Sequence, residues 1–150
     1  MRAFDNIVEK YDIEKIKTIG DAYMCACGLP RMNQDNAINT VRAALDMQEF
    51  IKGFALSTKI QNLPIFEMRI GIHTGPVIAG VVGNRKFVYD VWGDTVNLAS
   101  QMEQRGEVGK INISGNTFAL VRDNFSCTYR GKISAKNKGE VDMYFVEEKL

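Results

Sequence analysis

The sequence predicts an α+β fold, a two-layer sandwich in which a few helices cover a sheet. Three patterns predict it. Ala37, Val41, Ala44, Leu45, Gln48 and Ile51 form one stripe at helical spacing within 35–52. Phe66, Met68, Ile70 and Ile72 alternate with Glu67, Arg69, Gly71 and His73, the period of a strand with one buried face. Turn residues such as Gly20-Asp21, Thr74-Gly75-Pro76 and Gly83-Asn84 separate the short segments.

In chain order, residues 1–11 place Phe4, Ile7, Val8 and Tyr11 at helical spacing and read as the last turns of a helix. Residues 13–19 mix apolar and basic side chains as a strand does. Gly20 at the first central position suits a type II′ turn, and 22–29 form the returning strand, which Pro30 ends. The helix over 35–52 takes Asn33 or Asp35 as its cap and stops at Gly53, with a loop over 54–64. Strands follow at 66–72, 77–82 and 87–91. Asp94 caps a helix running to about 105, whose apolar stripe is Thr95, Leu98, Ala99 and Met102. Asp94, Asn97 and Gln101 share a different, polar face of it. A strand at 110–114, a short helix to 122 and strands at 126–133 and 141–147 complete one domain over 1–150.

Composition narrows the function classes. Of the 150 residues, 45% are apolar and 25% charged, enough for a real core and unlike a disordered chain. The net charge of +1 lacks the basic excess of a nucleic-acid binder, so no nucleic-acid partner is expected. No apolar run is long enough to span a bilayer, and the first ten residues have no apolar signal core. The odd count of three cysteines gives no complete disulfide framework. With His73 as the sole histidine, no zinc ligand set is apparent. Cys25 and Cys27 read as half-buried strand thiols in a reducing, cytoplasmic setting.

Three segments carry a resemblance. Glu14-Lys15-Ile16-Lys17-Thr18-Ile19-Gly20-Asp21-Ala22-Tyr23-Met24 is the first. Arg69-Ile70-Gly71-Ile72-His73-Thr74-Gly75-Pro76-Val77 is the second. Tyr89-Asp90-Val91-Trp92-Gly93-Asp94-Thr95-Val96-Asn97-Leu98-Ala99-Ser100 is the third. In order and interval they resemble the class III nucleotide cyclase catalytic domain, from about residue 4 to the end. The resemblance implies a ferredoxin-like βαββαβ core with added strands and a head-to-tail dimer with nucleotide sites at the interface. It also implies two Mg²⁺ or Mn²⁺ ions per site. The implied reaction is attack of a ribose 3′-hydroxyl on the α-phosphorus of a nucleoside triphosphate, with loss of pyrophosphate.

The resemblance assigns roles residue by residue. Asp21 matches a metal-bridging aspartate, and an exposed carboxylate at a hairpin tip is a hard oxygen ligand suited to Mg²⁺; Asp is also simply a common turn residue. Lys17 and Asp90 match the pair that reads adenine, a donor for ring N1 and an acceptor for the exocyclic amine. A site so built rejects guanine, whose polarity there is reversed. Asn97 matches the asparagine that orients the ribose, and Lys136 the lysine that binds the triphosphate from a loop. The implied activity is adenylate cyclase, with ATP as substrate and a homodimer, or a heterodimer with a homologous domain, as the working unit.

Two departures from the family pattern accompany these matches. The family opens with a strand bearing a second metal aspartate, and no such segment is found here, so the domain is expected to be incomplete at its N-terminus. Gln101 stands where active members carry an arginine that stabilises the transition-state phosphate; glutamine donates a hydrogen bond but has neither the charge nor the planar fork. Arg105, one turn on, is a candidate substitute. Both departures favour a rival reading, a nucleotide-binding or dimerisation module without turnover; a guanylate cyclase is the other alternative.

Overall fold

The structure, a computed structural model, describes residues 2–29, 35–62, 67–82, 88–135 and 139–149. The elements in order are α1 (Arg2–Lys10), β1 (Ile13–Ile19), β2 (Ala22–Cys27), α2 (Asn36–Ile60), β3 (Ile70–Ile72), β4 (Ile78–Val82), β5 (Val88–Trp92), α3 (Asp94–Gln104), β6 (Ile111–Ser114), α4 (Gly115–Val121), β7 (Phe125–Ala135) and β8 (Gly139–Glu148). This is the α+β architecture that the patterning predicts.

The strands form three hydrogen-bonded groups among the described residues. β3, β6, β8 and β7 make a mixed sheet in that order, with β3 parallel to β6 and the other neighbours antiparallel. β1 pairs with β2, and β4 with β5, as separate antiparallel ribbons. The hairpin β1–β2 and the edge strand β3 are not joined by a ladder, yet both pack under α2. Cys25, Cys27 and Ile70 touch the cluster that Ala43, Met47 and Ile51 form with Phe4 and Val8.

Burial explains the main sheet. Ile111 and Ile113 face α2 and α4, in a cluster with Val41, Ala44, Val121 and Val146. The alternate residue Asn112 points the other way, and its Nδ2 donates to the Met102 carbonyl of α3 at 2.9 Å. Leu98 and Met102 of α3 pack there on Ile133, Val141 and Met143. Gly71 faces the same helix, and a Cβ at that position would run into the Glu103 backbone. β6 is therefore buried on both faces, as a central strand between helices must be.

Several boundaries differ from the sequence expectations, four of them with a visible structural reason. α2 runs through Gly53 to Ile60 where a loop was expected. An interior glycine costs about 1 kcal/mol, but Phe50 stacks on Phe54 at 6.2 Å and meets Phe4 edge-on at 6.1 Å, so the turns around Gly53 have partners. β3 begins at Ile70, with residues 67–69 outside it; the Met68 carbonyl instead accepts from the Gly109 N–H at 2.9 Å. β2 stops at Cys27, two residues short of the expected end, where Gly28 takes a φ of +93°. The cap of α3 is Gly93, not Asp94, with no side-chain hydrogen bond to the helix start.

Candidate functional site

Two ribbons and one helix position the predicted residues. β1 carries Lys17 beside an irregularity in its pairing with β2, between Lys15 and Lys17. Its hairpin closes through Gly20 and Asp21, with Ile19 opposite Ala22. Gly20 has a φ of +59° while Asp21 has a negative φ, which is the type II′ pattern the sequence predicts. Asp21 is therefore an exposed carboxylate at a rigid tip.

β5 brings Asp90 to Lys17. The Lys17 Nζ donates to Asp90 Oδ2 at 2.9 Å, across 73 residues of sequence. The second oxygen, Oδ1, accepts from the Val91 N–H at 2.8 Å. The Lys17 ammonium first, and then the Val91 N–H, hold the Asp90 carboxyl below the usual carboxylate range. The two side chains form a donor and an acceptor side by side, each partly exposed to solvent.

The chain then turns sharply into α3. Gly93 adopts φ 122°, ψ 180°, a conformation essentially restricted to glycine, and this turn sets α3 directly after β5. Asn97 is exposed one turn into the helix. Gln101 follows a turn later and is half-buried. Arg105 is the exposed C-cap residue of α3, and its carbonyl accepts from Arg130 Nη1 at 2.9 Å. Lys136 lies outside the described residues. The structure thus brings Lys17 and Asp90 into contact and places Asn97 on the next element, with Asp21 at a separate tip.

Asp21 is the right ligand type for Mg²⁺ or Mn²⁺, but no group of three or more acidic, histidine or cysteine side chains among the described residues could hold a metal ion. One carboxylate does not make a two-ion site. The described residues of a single chain therefore do not fit the implied pair of metals.

Two clefts lie near these elements. One of about 390 Å³ is bounded by Pro76, Ile78, Trp92 and the start of α3. It adjoins the Asp90 strand without including Lys17 or Asp90 in its wall. A groove of about 540 Å³ lies between His73, Thr95, Asn116 and Glu140. There His73 Nδ1 is 2.6 Å from Ser114 Oγ and Thr74 Oγ1 is 2.8 Å from Thr117 Oγ1, a satisfied polar network that contains none of the predicted site residues. Trp92 went unremarked in the sequence reading; its place two residues after Asp90 on one strand was the available signal. No helix among the described residues is long and apolar enough to cross a membrane.

Comparison with known proteins agrees with this architecture. The family model described as the adenylate and guanylate cyclase catalytic domain matches residues 1–148. An adenylate cyclase of Mycobacterium tuberculosis is 40% identical over 144 residues, covering 96% of this chain and 32% of that protein. Guanylyl cyclase C of Sus scrofa is 42% identical over 149 residues, covering 97% of this chain and 14% of that protein. The chain thus spans a third or less of these relatives. Among solved structures, the adenylyl cyclase CyaB from P. aeruginosa superposes with a TM-score of 0.91 at 28% identity, over 99% of this chain and 79% of that one. The guanylate cyclase domain of RhGC from Catenaria anguillulae, in complex with GTP, gives 0.88 at 35% identity over 98% and 79%. With a family model matched along nearly its whole length and a ferredoxin-like fold shared with these domains, the chain belongs to the adenylate and guanylate cyclase catalytic domain family.

Proposed function

We propose that this domain is an adenylate cyclase, a lyase that converts ATP to 3′,5′-cyclic AMP and pyrophosphate for signalling. The observation that carries the reading is the Lys17–Asp90 pair, with donor and acceptor 2.9 Å apart on adjacent ribbons. Adenine offers an acceptor at N1 beside a donor at its amine, and this pair matches both. Guanine presents a donor and an acceptor in the reverse order, so it leaves two charged groups unpaired, which discriminates strongly. The relatives include adenylate and guanylyl cyclases at similar identity, so the base preference rests on this pair. One solved relative, the catalytic core of a rhodopsin-guanylyl cyclase with converted specificity in complex with ATPαS, has a TM-score of 0.88 at 37% identity over 97% of this chain and 77% of that one.

In this reading Lys17 and Asp90 hold the base, Asn97 orients the ribose so that its 3′-hydroxyl faces the α-phosphorus, and Lys136 takes the triphosphate. Asp21 would be one ligand if Mg²⁺ or Mn²⁺ binds. The working unit is a dimer, with itself or a homologous domain, in which Asp21 of one chain serves the site whose base pair lies on the other. Exposed Val81, on the ribbon face opposite to that of Asp90, is suited to such an interface.

The test is cyclic nucleotide production with Mn²⁺ and ATP or GTP. Formation of cyclic AMP in preference to cyclic GMP is expected. ATP binding without turnover would establish the rival reading, a nucleotide-binding module, which Gln101 in place of arginine favours. Gln101→Arg separates the two: a rise of about a hundredfold marks a weakened enzyme, and no rise marks a binding module.

A further inference from the structure

We propose that Trp92 is the apolar wall of the base site, the surface against which the purine rests while Lys17 and Asp90 read its edge. The inference rests on the nucleotide reading above and adds a positioning residue to it.

The register of the β4–β5 ribbon leads there. Gly80 lies directly opposite Asp90, and Ile78 opposite Trp92. Opposed residues of an antiparallel pair project from one face, as do residues two apart on a strand. Trp92, Ile78, Gly80 and Asp90 therefore share one face. Gly80 contributes no side chain to it, and the indole leans into the space left free: Trp92 Cη2 is 3.5 Å from where a Cβ on Gly80 would sit. The ring is thus drawn across the ribbon toward the position facing Asp90, instead of pointing away along the strand.

This indole is under-used by the fold. Trp92 remains 41% exposed and Ile78 60% exposed, although a tryptophan is among the side chains that gain most from burial. The cleft of about 390 Å³ beside it adjoins the Asp90 strand, although neither Lys17 nor Asp90 lies in its wall. A flat aromatic surface next to a donor–acceptor pair fits a purine: the edge takes the hydrogen bonds and the face takes the ring. Every base has such a face, so Trp92 contributes affinity and orientation while Lys17 and Asp90 contribute the choice of base.

Trp92 is the sole tryptophan of the chain, so its fluorescence reports this site alone. The experiment titrates the 150-residue protein with ATP and, separately, with inorganic tripolyphosphate, and follows ATP binding in parallel by calorimetry. Saturable quenching or a spectral shift with ATP, at the calorimetric midpoint and absent with tripolyphosphate, is expected. Calorimetric binding of ATP with unchanged emission overturns the wall and leaves the functional reading standing. No ATP binding at all overturns the functional reading and the wall together. Emission that follows protein concentration and not ATP assigns Trp92 to contact between copies and also overturns it. In kinetics, Trp92→Ala raises KM for ATP on the order of tenfold with kcat little changed, and Trp92→Phe restores most of the loss. Equal effects of both variants on kcat alone would count against the proposal.

Discussion

The four-stranded sheet and the two ribbons are built on different terms. The sheet is covered on both faces: Ile113 and Val121 are fully buried on one side and Met102 on the other. The ribbons leave Ile19, Ile78 and Val81 about 60% exposed. The sheet finishes its own packing within the chain, whereas the ribbons hold the charged pair Lys17–Asp90 and the tip Asp21 out toward solvent. A two-stranded ribbon alone is marginal in water. These ribbons persist because each has one side anchored, β1 through Ile13 and Ile16 and β5 through Val91, all nearly buried. The division separates the residues that maintain the fold from those that, in the proposed function, meet a substrate or a second chain.

Mutations should respect that division. The largest expected effect is on the ribbon side. If Asp21 holds a metal ion as proposed, Asp21→Ala lowers cyclase turnover by more than about a hundredfold. Thermal unfolding of the same protein shifts little. A loss of several degrees would break the distinction.

The converse change is Ile113→Ala. Emptying this fully buried position costs about 2–5 kcal/mol in urea unfolding. Nucleotide binding per folded molecule is retained. Asp90→Asn comes next, removing the acceptor charge while keeping its shape. It raises KM for ATP about tenfold or more and erodes the preference for ATP over GTP. A preserved preference would assign base choice elsewhere.

Two smaller effects depend on pH. The Asp90 carboxyl is held below its ordinary range by Lys17, so its contribution is present above that range and is lost only as pH falls through the lowered value. Nucleotide affinity in acid should therefore persist below the usual carboxylate pKa and decline earlier in Lys17→Met. On the packed side, burial pushes the Cys25 thiol up from 9.0 to about 11. Its contribution is intact below pH 9.0 and is lost as pH rises toward about 11. Urea midpoints measured across that window should fall less steeply in Cys25→Ala. The smallest effect is Val81→Ser, within about 0.5 kcal/mol for an exposed site; a larger loss would mean the ribbon is covered in solution by a second copy.

Much of this was legible before any coordinates. Alternation, helical spacing and turn residues located the main elements among the described residues, because a residue's preference for one face follows from its own side chain and period. Boundaries were harder. Gly53 reads as a stop, and only the stacking of Phe50 on Phe54 shows why the helix continues. Asp94 reads as a cap, and only the backbone of Gly93 shows that the turn is made one residue earlier. At the site, the motifs singled out Lys17 and Asp90 without revealing their contact. Their 73-residue separation is closed by the packing of one ribbon on another.

The sequence alone determined the α+β class, the hairpin turn at Gly20-Asp21 and the family, since these depend on local pattern and on side chains quoted in order. The tertiary structure decided the meeting of Lys17 with Asp90, the burial of β6 on both faces and the lean of Trp92 over Gly80. Those depend on where distant segments come to lie. That placement is set by the summed burial of many side chains, which no single segment encodes.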